Sequence, residues 1–327
     1  MTAPLFRLFW ILTLSLSAAL AADGPEYDPL RKPEAVIPAP LDLQFRDEAR
    51  GREIPLRVWL PASEKPAMVV LFSHGLGGNR EAAAYLAGHW AARGYAVVCL
   101  QHPGSDDAIW KKSTDGRTMA SLERAASGSN LLLRAGDVHA TLNQLEKWNT
   151  QSGHILRGRL DTSRCGMSGH SFGALTTQLL AGQTILGRSF TDPRVKAAMA
   201  LSPSPPRAGD AKTAFAAVAM PMLLMTGSLD DSPIGKTTPE DRRKVFPALP
   251  AGDKYELVLD KARHNAFSDR RTVVEGGGRN PNHHRVIIAL STAFWDAYLR
   301  NDPQAMAWLS GQPPKAILEP DDQWRKK

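Results

Sequence analysis

Short apolar runs, separated by longer amphipathic stretches, recur along residues 41–299. Continuous apolar runs of strand length indicate parallel strands that are buried on both faces, and the stretches between them have the length and end signals of helices. The predicted strands are 41–46, 54–60, 67–72, 95–100, 161–167, 195–201, 222–226 and 254–259; the predicted helices are 81–93, 131–148, one directly after residue 171, and 285–299. This alternation predicts an α/β protein with a mostly parallel eight-stranded sheet, an antiparallel hairpin at its N-terminal end and helices on both faces.

The N-terminal segment has the pattern of a secretory signal peptide. Arg7 is followed by an apolar run, and Ala19 and Ala21 provide a small-x-small cleavage site. The run is too short to span a bilayer, so we predict cleavage after Ala21, no stable membrane insertion afterwards, and a secreted or periplasmic protein; an uncleaved N-terminal anchor is the alternative. The predicted divisions are a signal peptide (1–21), a Pro-rich strap (22–40), a catalytic domain (41–310) and a polar C-terminal tail (311–327).

The distribution of charge argues against nucleic-acid binding, and the positions of the cysteines argue against a disulfide. The formal net charge of the 327-residue chain is +7, but its basic residues are scattered and no basic stripe is interleaved with aromatic residues. Nucleic-acid binding is therefore not expected. Cys99 and Cys165 lie in two predicted strands. In the fold argued below from the motifs, a third strand separates these two, so they lie roughly 10 Å apart at about 4.8 Å per strand. We predict two buried thiols and no disulfide.

The clearest chemical signal is Gly169-His170-Ser171-Phe172-Gly173, which matches G-x-S-x-G. In this pattern the serine lies on a sharp strand-to-helix turn with its hydroxyl exposed above the sheet, and the flanking glycines avoid crowding at the turn. A predicted strand precedes the motif and a predicted helix follows it. Ser171 is therefore predicted to be a nucleophile, with a plain Gly-rich loop as the alternative.

With these motifs in place, the chain resembles the α/β-hydrolase superfamily over essentially its whole mature length. The resemblance rests on His74-Gly-Leu-Gly-Gly, Gly-His-Ser-Phe-Gly, Gly227-Ser-Leu-Asp-Asp and Ala262-Arg-His-Asn-Ala-Phe. More narrowly, Gln101-His-Pro-Gly-Ser-Asp and Thr226-Gly-Ser-Leu-Asp-Asp-Ser-Pro resemble secreted hydrolases grouped with dienelactone hydrolases and platelet-activating-factor acetylhydrolases. The nucleophile departs from that of true dienelactone hydrolases, which use cysteine.

A serine nucleophile needs a base and an acid that orients the base. His264 opens the loop after the last predicted strand and is the expected base, with a structural loop histidine as the alternative. Asp230 and Asp231 both follow the strand that ends at Thr226. The resemblance favours Asp230, and Asp231 remains the alternative. The order Ser171, Asp230, His264 is the one this fold uses.

Oxyanion donors complete the expected site. One is the backbone N–H of Phe172, which follows the nucleophile, and the resemblance implies that the other is the N–H of Leu76. His74 and His170 are expected to be structural. No metal-ligand spacing is present, and no G-x-G-x-x-G follows a strand, so we predict no metal and no cofactor.

The predicted function is a secreted serine ester hydrolase. The expected substrate is a small-molecule or lipid-like ester with a short acyl chain, because residues 102–130 and 202–220 do not form a large apolar lid. A phospholipid acetylhydrolase-like enzyme, a polyester or lactone hydrolase, and a catalytically silent α/β-hydrolase domain are the alternatives.

Overall fold

The computed structural model describes residues 26–111, 118–232, 234–269 and 280–327. The predicted signal peptide (1–21) lies outside these residues. The strands are β1 (Leu41–Asp47), β2 (Arg52–Trp59), β3 (Ala67–Ser73), β4 (Ala96–Leu100), β5 (Leu160–His170), β6 (Val195–Leu201), β7 (Met222–Leu229), β8 (Lys254–Arg263) and β9 (Gln323–Lys326). The helices are α1 (Ala84–Ala92), α2 (Ala108–Lys111), α3 (Thr118–Ala125), α4 (Gly128–Thr150), α5 (Phe172–Ala181), α6 (Ala211–Phe215), α7 (Pro239–Arg243), α8 (Val245–Ala248), α9 (Pro281–Tyr298), α10 (Pro303–Ser310) and α11 (Pro313–Ala316).

The strands form one mostly parallel sheet in the order β1-β2-β4-β3-β5-β6-β7-β8-β9. Strands β3 to β8 are parallel to their neighbours within that group. The predicted N-terminal hairpin is present: β1 pairs antiparallel with β2, and β2 pairs antiparallel with β4. The carboxyl ends of β3 to β8 therefore meet at one edge of the sheet, where the candidate site lies.

The described residues contain nine strands, and the prediction of eight was wrong by one. The ninth strand lies in the segment predicted to be a polar tail, and it pairs antiparallel with β8. Trp324 stacks on Tyr255 with ring centroids 5.4 Å apart, while Arg325 Nε donates to the buried Glu256 carboxylate at 2.6 Å. An edge strand with a solvated face carries polar residues, so its sequence lacks the apolar run of a central strand.

Neighbouring side chains of the central strands enter two different hydrophobic cores, one on each face of the sheet. Val70 and Phe72 pack with α1, α9 and α10, while Val69 and Leu71 pack with α4 and α5. Both faces are thus covered by helices, which explains why the central strands are apolar throughout. The expectation for the cysteines is also confirmed: β3 separates their strands, and Cys99 and Cys165 are buried free thiols.

Candidate active site

Ser171 occupies a strained turn between β5 and α5. Its φ and ψ are 56° and −113°, in a region that L-residues rarely adopt. A Cβ on Gly169 would overlap the backbone of Gly173, and a Cβ on Gly173 would overlap the backbone carbonyl of Ser73. Both positions therefore require glycine for steric reasons, which is the packing expected of a nucleophile elbow.

The structure brings the three predicted catalytic side chains into one hydrogen-bonded chain. His264 Nδ1 lies 2.7 Å from Asp230 Oδ1, and His264 Nε2 lies 2.9 Å from Ser171 Oγ. Because an ionised carboxylate only accepts, Nδ1 carries a proton and Nε2 is left to accept the hydroxyl proton of Ser171. The neighbouring Asp231 is exposed, so the structure places Asp230, and not Asp231, against the imidazole.

Asp230 is fully buried at the end of β7, yet its surroundings favour the carboxylate. Burial by itself would raise the pKa of Asp230. The hydrogen bond from His264 and the charges of His264 and Arg242 outweigh burial and lower that pKa to about 2. Thr226 Oγ1 also donates to Asp230 Oδ2 at 2.8 Å. Asp230 is therefore ionised and oriented at neutral pH.

Two backbone N–H groups remain available beside Ser171. Phe172 is the first residue of α5, and the first N–H groups of a helix have no intrahelical acceptor. Within the described residues, the N–H of Leu76 also makes no backbone hydrogen bond. The loop that carries it is held in place, because the N–H of Gly77 donates to the carbonyl of Ser105 at 2.9 Å. The N–H of Leu76 thus has no backbone acceptor among the described residues, and the hydrogen bond of Gly77 holds the loop that carries it.

Arg134 contacts the loop that carries Leu76 and the ring of Phe172, and the sequence analysis missed it. It is fully buried on α4; its Nη1 donates to the carbonyl of His74 at 2.6 Å and its Nε donates to Ser105 Oγ at 2.8 Å. The guanidinium also lies 4.6 Å from the ring centroid of Phe172. Burial lowers the pKa of Arg134 to about 9, against the charges of Asp137 and Asp106. The sequence signal that could have identified Arg134 is a charged residue on the apolar face of a predicted amphipathic helix.

A second Ser–His–Asp array lies beneath the oxyanion loop. Ser73 Oγ lies 2.8 Å from His102 Nε2, and His102 Nδ1 lies 3.0 Å from Asp137 Oδ2. All three side chains are completely buried, so substrate cannot reach this serine. Arg50 and Arg52 each form an ion pair with Asp137 at 2.9 Å. This array joins the ends of β3 and β4 to α4 and is structural.

The two remaining histidines near the site, His74 and His170, hold backbone segments in place. His74 Nε2 accepts from the backbone N–H of His102 at 3.1 Å. His170 Nε2 donates to the carbonyl of His264 at 3.1 Å, and burial holds the pKa of His170 well below its usual value. A neutral His170 thus helps to position the loop that carries His264.

Within residues 26–111, 118–232, 234–269 and 280–327, no group of three or more His, Cys, Asp or Glu side chains is placed to hold a metal ion. Over the same ranges, no helix has the length and apolarity needed to cross a bilayer.

A serine–imidazole–carboxylate chain at the carboxyl ends of parallel strands, next to two free N–H donors, is the arrangement found in serine hydrolases. No protein-family model matches the chain. Among curated proteins, the chain is similar to a probable 1-alkyl-2-acetylglycerophosphocholine esterase of the fungus Arthroderma benhamiae, with 27% identity over 218 residues. The alignment covers 64% of this chain, and the chain spans about half the length of that relative (50%).

Proposed function

We propose that the protein is a carboxylic ester hydrolase of the α/β-hydrolase superfamily, similar to the secreted dienelactone-hydrolase-like and platelet-activating-factor-acetylhydrolase-like serine esterases. The observation that carries the proposal is the chain of contacts from Asp230 through His264 to Ser171, at 2.7 and 2.9 Å, with the serine on a strained elbow. A relative described as an esterase supports the same class of reaction.

Acylation follows from the positions of these atoms. Ser171 Oγ attacks the ester carbonyl carbon while His264 Nε2 takes the hydroxyl proton. The carbonyl electrons move onto oxygen, and the N–H groups of Leu76 and Phe172 stabilise that oxyanion. Collapse of the tetrahedral intermediate breaks the bond to the alcohol, which leaves with the proton from His264. Asp230 stabilises the transient imidazolium.

Deacylation repeats these steps with water. His264 removes a proton from a water molecule as the water attacks the acyl carbon, and the same N–H groups stabilise the second oxyanion. Collapse returns the proton from His264 to Ser171 Oγ and releases the carboxylic acid. No step requires a cofactor or a metal ion.

One residue of α2 and one of α3 support a preference for short acyl chains. Trp110 Nε1 donates to the carbonyl of Gly77 at 2.8 Å, and the Leu122 side chain occupies the space where a Cβ on Gly77 would lie. These side chains thus pack beside the donor loop at Leu76 and limit the room for the acyl group. An acetyl group needs the least room, so an acetyl ester is the expected substrate.

A phospholipid acetyl ester is a more specific substrate candidate. The observation that favours it is the similarity to the fungal relative, which is described as a probable 1-alkyl-2-acetylglycerophosphocholine esterase. We further propose that the enzyme acts outside the cytoplasm, as a secreted or periplasmic protein, on the strength of the N-terminal pattern of Arg7, an apolar run and small residues. A periplasmic or culture-medium fraction that lacks the protein would contradict this location.

The first experiment compares hydrolysis of p-nitrophenyl acetate by the mature protein, Ser171→Ala and Ser189→Ala. Ser189 is an exposed serine outside the site and is the matched control. We expect activity in the wild type and in the Ser189 variant, and near-background rates in Ser171→Ala. Labelling with a fluorophosphonate, which reacts with activated serines, is measured in parallel.

The labelling experiment separates the alternatives. A protein that is labelled at Ser171 but inert towards p-nitrophenyl esters is a serine hydrolase with a narrow substrate. A folded wild type that is neither labelled nor active would refute the proposal and indicate a silent binding domain. In an ester panel from acetyl to palmitoyl, best turnover of the longest chains would refute the short-chain preference. Comparison of an acetylated with a long-chain glycerophosphocholine tests the lipid candidate.

A further inference from the structure

Arg242 is a buried cation directly behind the catalytic triad. It lies in α7, a short helix that begins at Pro239 and is preceded by Thr238 as the N-cap of a capping box. The helix places the Arg242 side chain under the loops that follow β6 and β7, where only 1% of its surface is exposed. A fully buried guanidinium is uncommon unless every donor has a partner.

Each edge of this guanidinium faces a different part of the site. Arg242 Nε lies 2.7 Å from the backbone carbonyl of Asp230 and 3.1 Å from its Oδ1. Nη1 lies 2.9 Å from the carbonyl of Ser202, 3.1 Å from that of Pro203 and 3.2 Å from Ser204 Oγ. The fork therefore ties the loop after β6 to the carboxylate that orients the base.

The third edge meets the base itself. Arg242 Nη2 lies 3.3 Å from His264 Nδ1, the nitrogen that already donates its proton to Asp230 Oδ1 at 2.7 Å. Two donors facing each other form no hydrogen bond, so this contact places a positive charge beside the ring. The guanidinium therefore contacts both the carboxylate and the imidazole that this carboxylate orients.

We propose that Arg242 is a positioning residue for the esterase reaction, which holds Asp230 through its fork and keeps that carboxylate aligned with His264. The inference rests on the proposed ester hydrolysis. Its consequence is that full catalysis needs the planar guanidinium fork behind Asp230, and not only a positive charge at that place.

The other titratable groups near His264 do not hold Asp230 in this way. Asp230, which follows β7, is itself the carboxylate that Arg242 positions. His170, from the end of β5, has its ring centroid 4.6 Å from that of His264, but burial holds its pKa well below the usual value and leaves it neutral. Asp231 interacts with the charge of Arg242 but is exposed. Arg242 is thus the cation in direct contact with the imidazole among the described residues.

The test is the pH profile of kcat/KM for p-nitrophenyl acetate in the wild type, Arg242→Gln, Arg242→Lys and Arg243→Gln. The plateau of this profile is the rate with the base unprotonated, so a change on the plateau reports the alignment of the base. Arg243→Gln is the matched control, because it removes the same charge from the adjacent residue, whose Nη2 instead contacts Gln323 at 2.7 Å. Thermal unfolding is recorded for each variant.

Arg242→Gln and Arg242→Lys both lose the planar fork, so kcat on the plateau is expected to fall about tenfold in each, with little change in KM. Arg243→Gln is expected to match the wild type in both quantities. An unchanged plateau kcat in folded Arg242→Gln or Arg242→Lys overturns the positioning role.

If Arg242→Gln does not fold, Arg242→Lys decides the matter, because an unchanged plateau in that variant removes the positioning role. Failure of the proposed function is a different result: the wild type itself then shows no hydrolysis and no fluorophosphonate labelling. That outcome also overturns the role of Arg242, since no base would be in use.

Discussion

The buried Ser73–His102–Asp137 array makes the stability of the folded protein dependent on pH. Burial, together with the charge of Arg134, lowers the pKa of His102 from 6.5 to about 4, despite the opposing effect of Asp137. The folded protein therefore keeps His102 neutral at a pH where the unfolded chain protonates it. The resulting stability is complete above pH 6.5 and is lost progressively as the pH falls towards 4.

The size of the effect follows from the two pKa values. Each pH unit between them is worth about 1.4 kcal/mol, so the contribution of His102 falls by about 2 to 3 kcal/mol between pH 7 and pH 4.5. Against a total stability of about 5 to 15 kcal/mol, this loss is readily measurable. The pH range in which His102 loses its contribution lies above the range in which Asp137, with a pKa lowered to about 2, becomes protonated.

The assay is urea unfolding followed by tryptophan fluorescence at several pH values, with His102→Gln as the comparison. Glutamine keeps a polar group between Ser73 and Asp137 but does not titrate. Other histidines with lowered pKa values, such as His170, contribute equally to both proteins and cancel in the difference. We expect the wild type to lose about 2 to 3 kcal/mol more than the variant. Identical pH dependence in the two proteins would refute the reasoning, whatever the absolute stability of the variant.

Three further outcomes follow from the structure. Asp230→Asn should lower kcat by about 10³- to 10⁴-fold, because the amide favours the wrong imidazole tautomer, whereas Asp231→Asn should remain within about twofold in the same p-nitrophenyl ester assay. Gly173→Ala should destabilise the fold by about 2 kcal/mol or more in urea unfolding, since its Cβ overlaps neighbouring backbone, and an unchanged midpoint would contradict this geometry. Arg325→Ala leaves the buried carboxylate of Glu256 without its 2.6 Å partner and should lower the unfolding temperature, most strongly above the pH at which that carboxylate ionises; a pH-independent effect would argue against the pairing.

Much of the architecture was predictable because it follows from local rules. Continuous apolar runs identify strands buried on both faces, and the helices between them give the parallel sheet and its two covered faces. The strained turn at Ser171 was predictable for the same reason, because a short glycine-flanked motif encodes its backbone conformation. His264 was predictable from its place after the last central strand.

The ninth strand was not predictable from the same pattern. Gln323–Lys326 is polar, and what makes it a strand is the free edge of β8 beside it. An edge strand needs only one partner and one packed side chain, here Trp324 against Tyr255, so it carries no apolar run.

By itself, the sequence determined the first eight strands, the main helices between them, the elbow at Ser171 and the histidine that follows the last central strand. Only the tertiary structure decided that Asp230 rather than Asp231 contacts His264, because adjacent residues at a strand end point in different directions. It also decided that Arg134 and Arg242 lie behind the site. Their partners are mostly backbone carbonyls of loops distant in sequence, and backbone atoms are the same for every residue type, so no sequence pattern records such contacts.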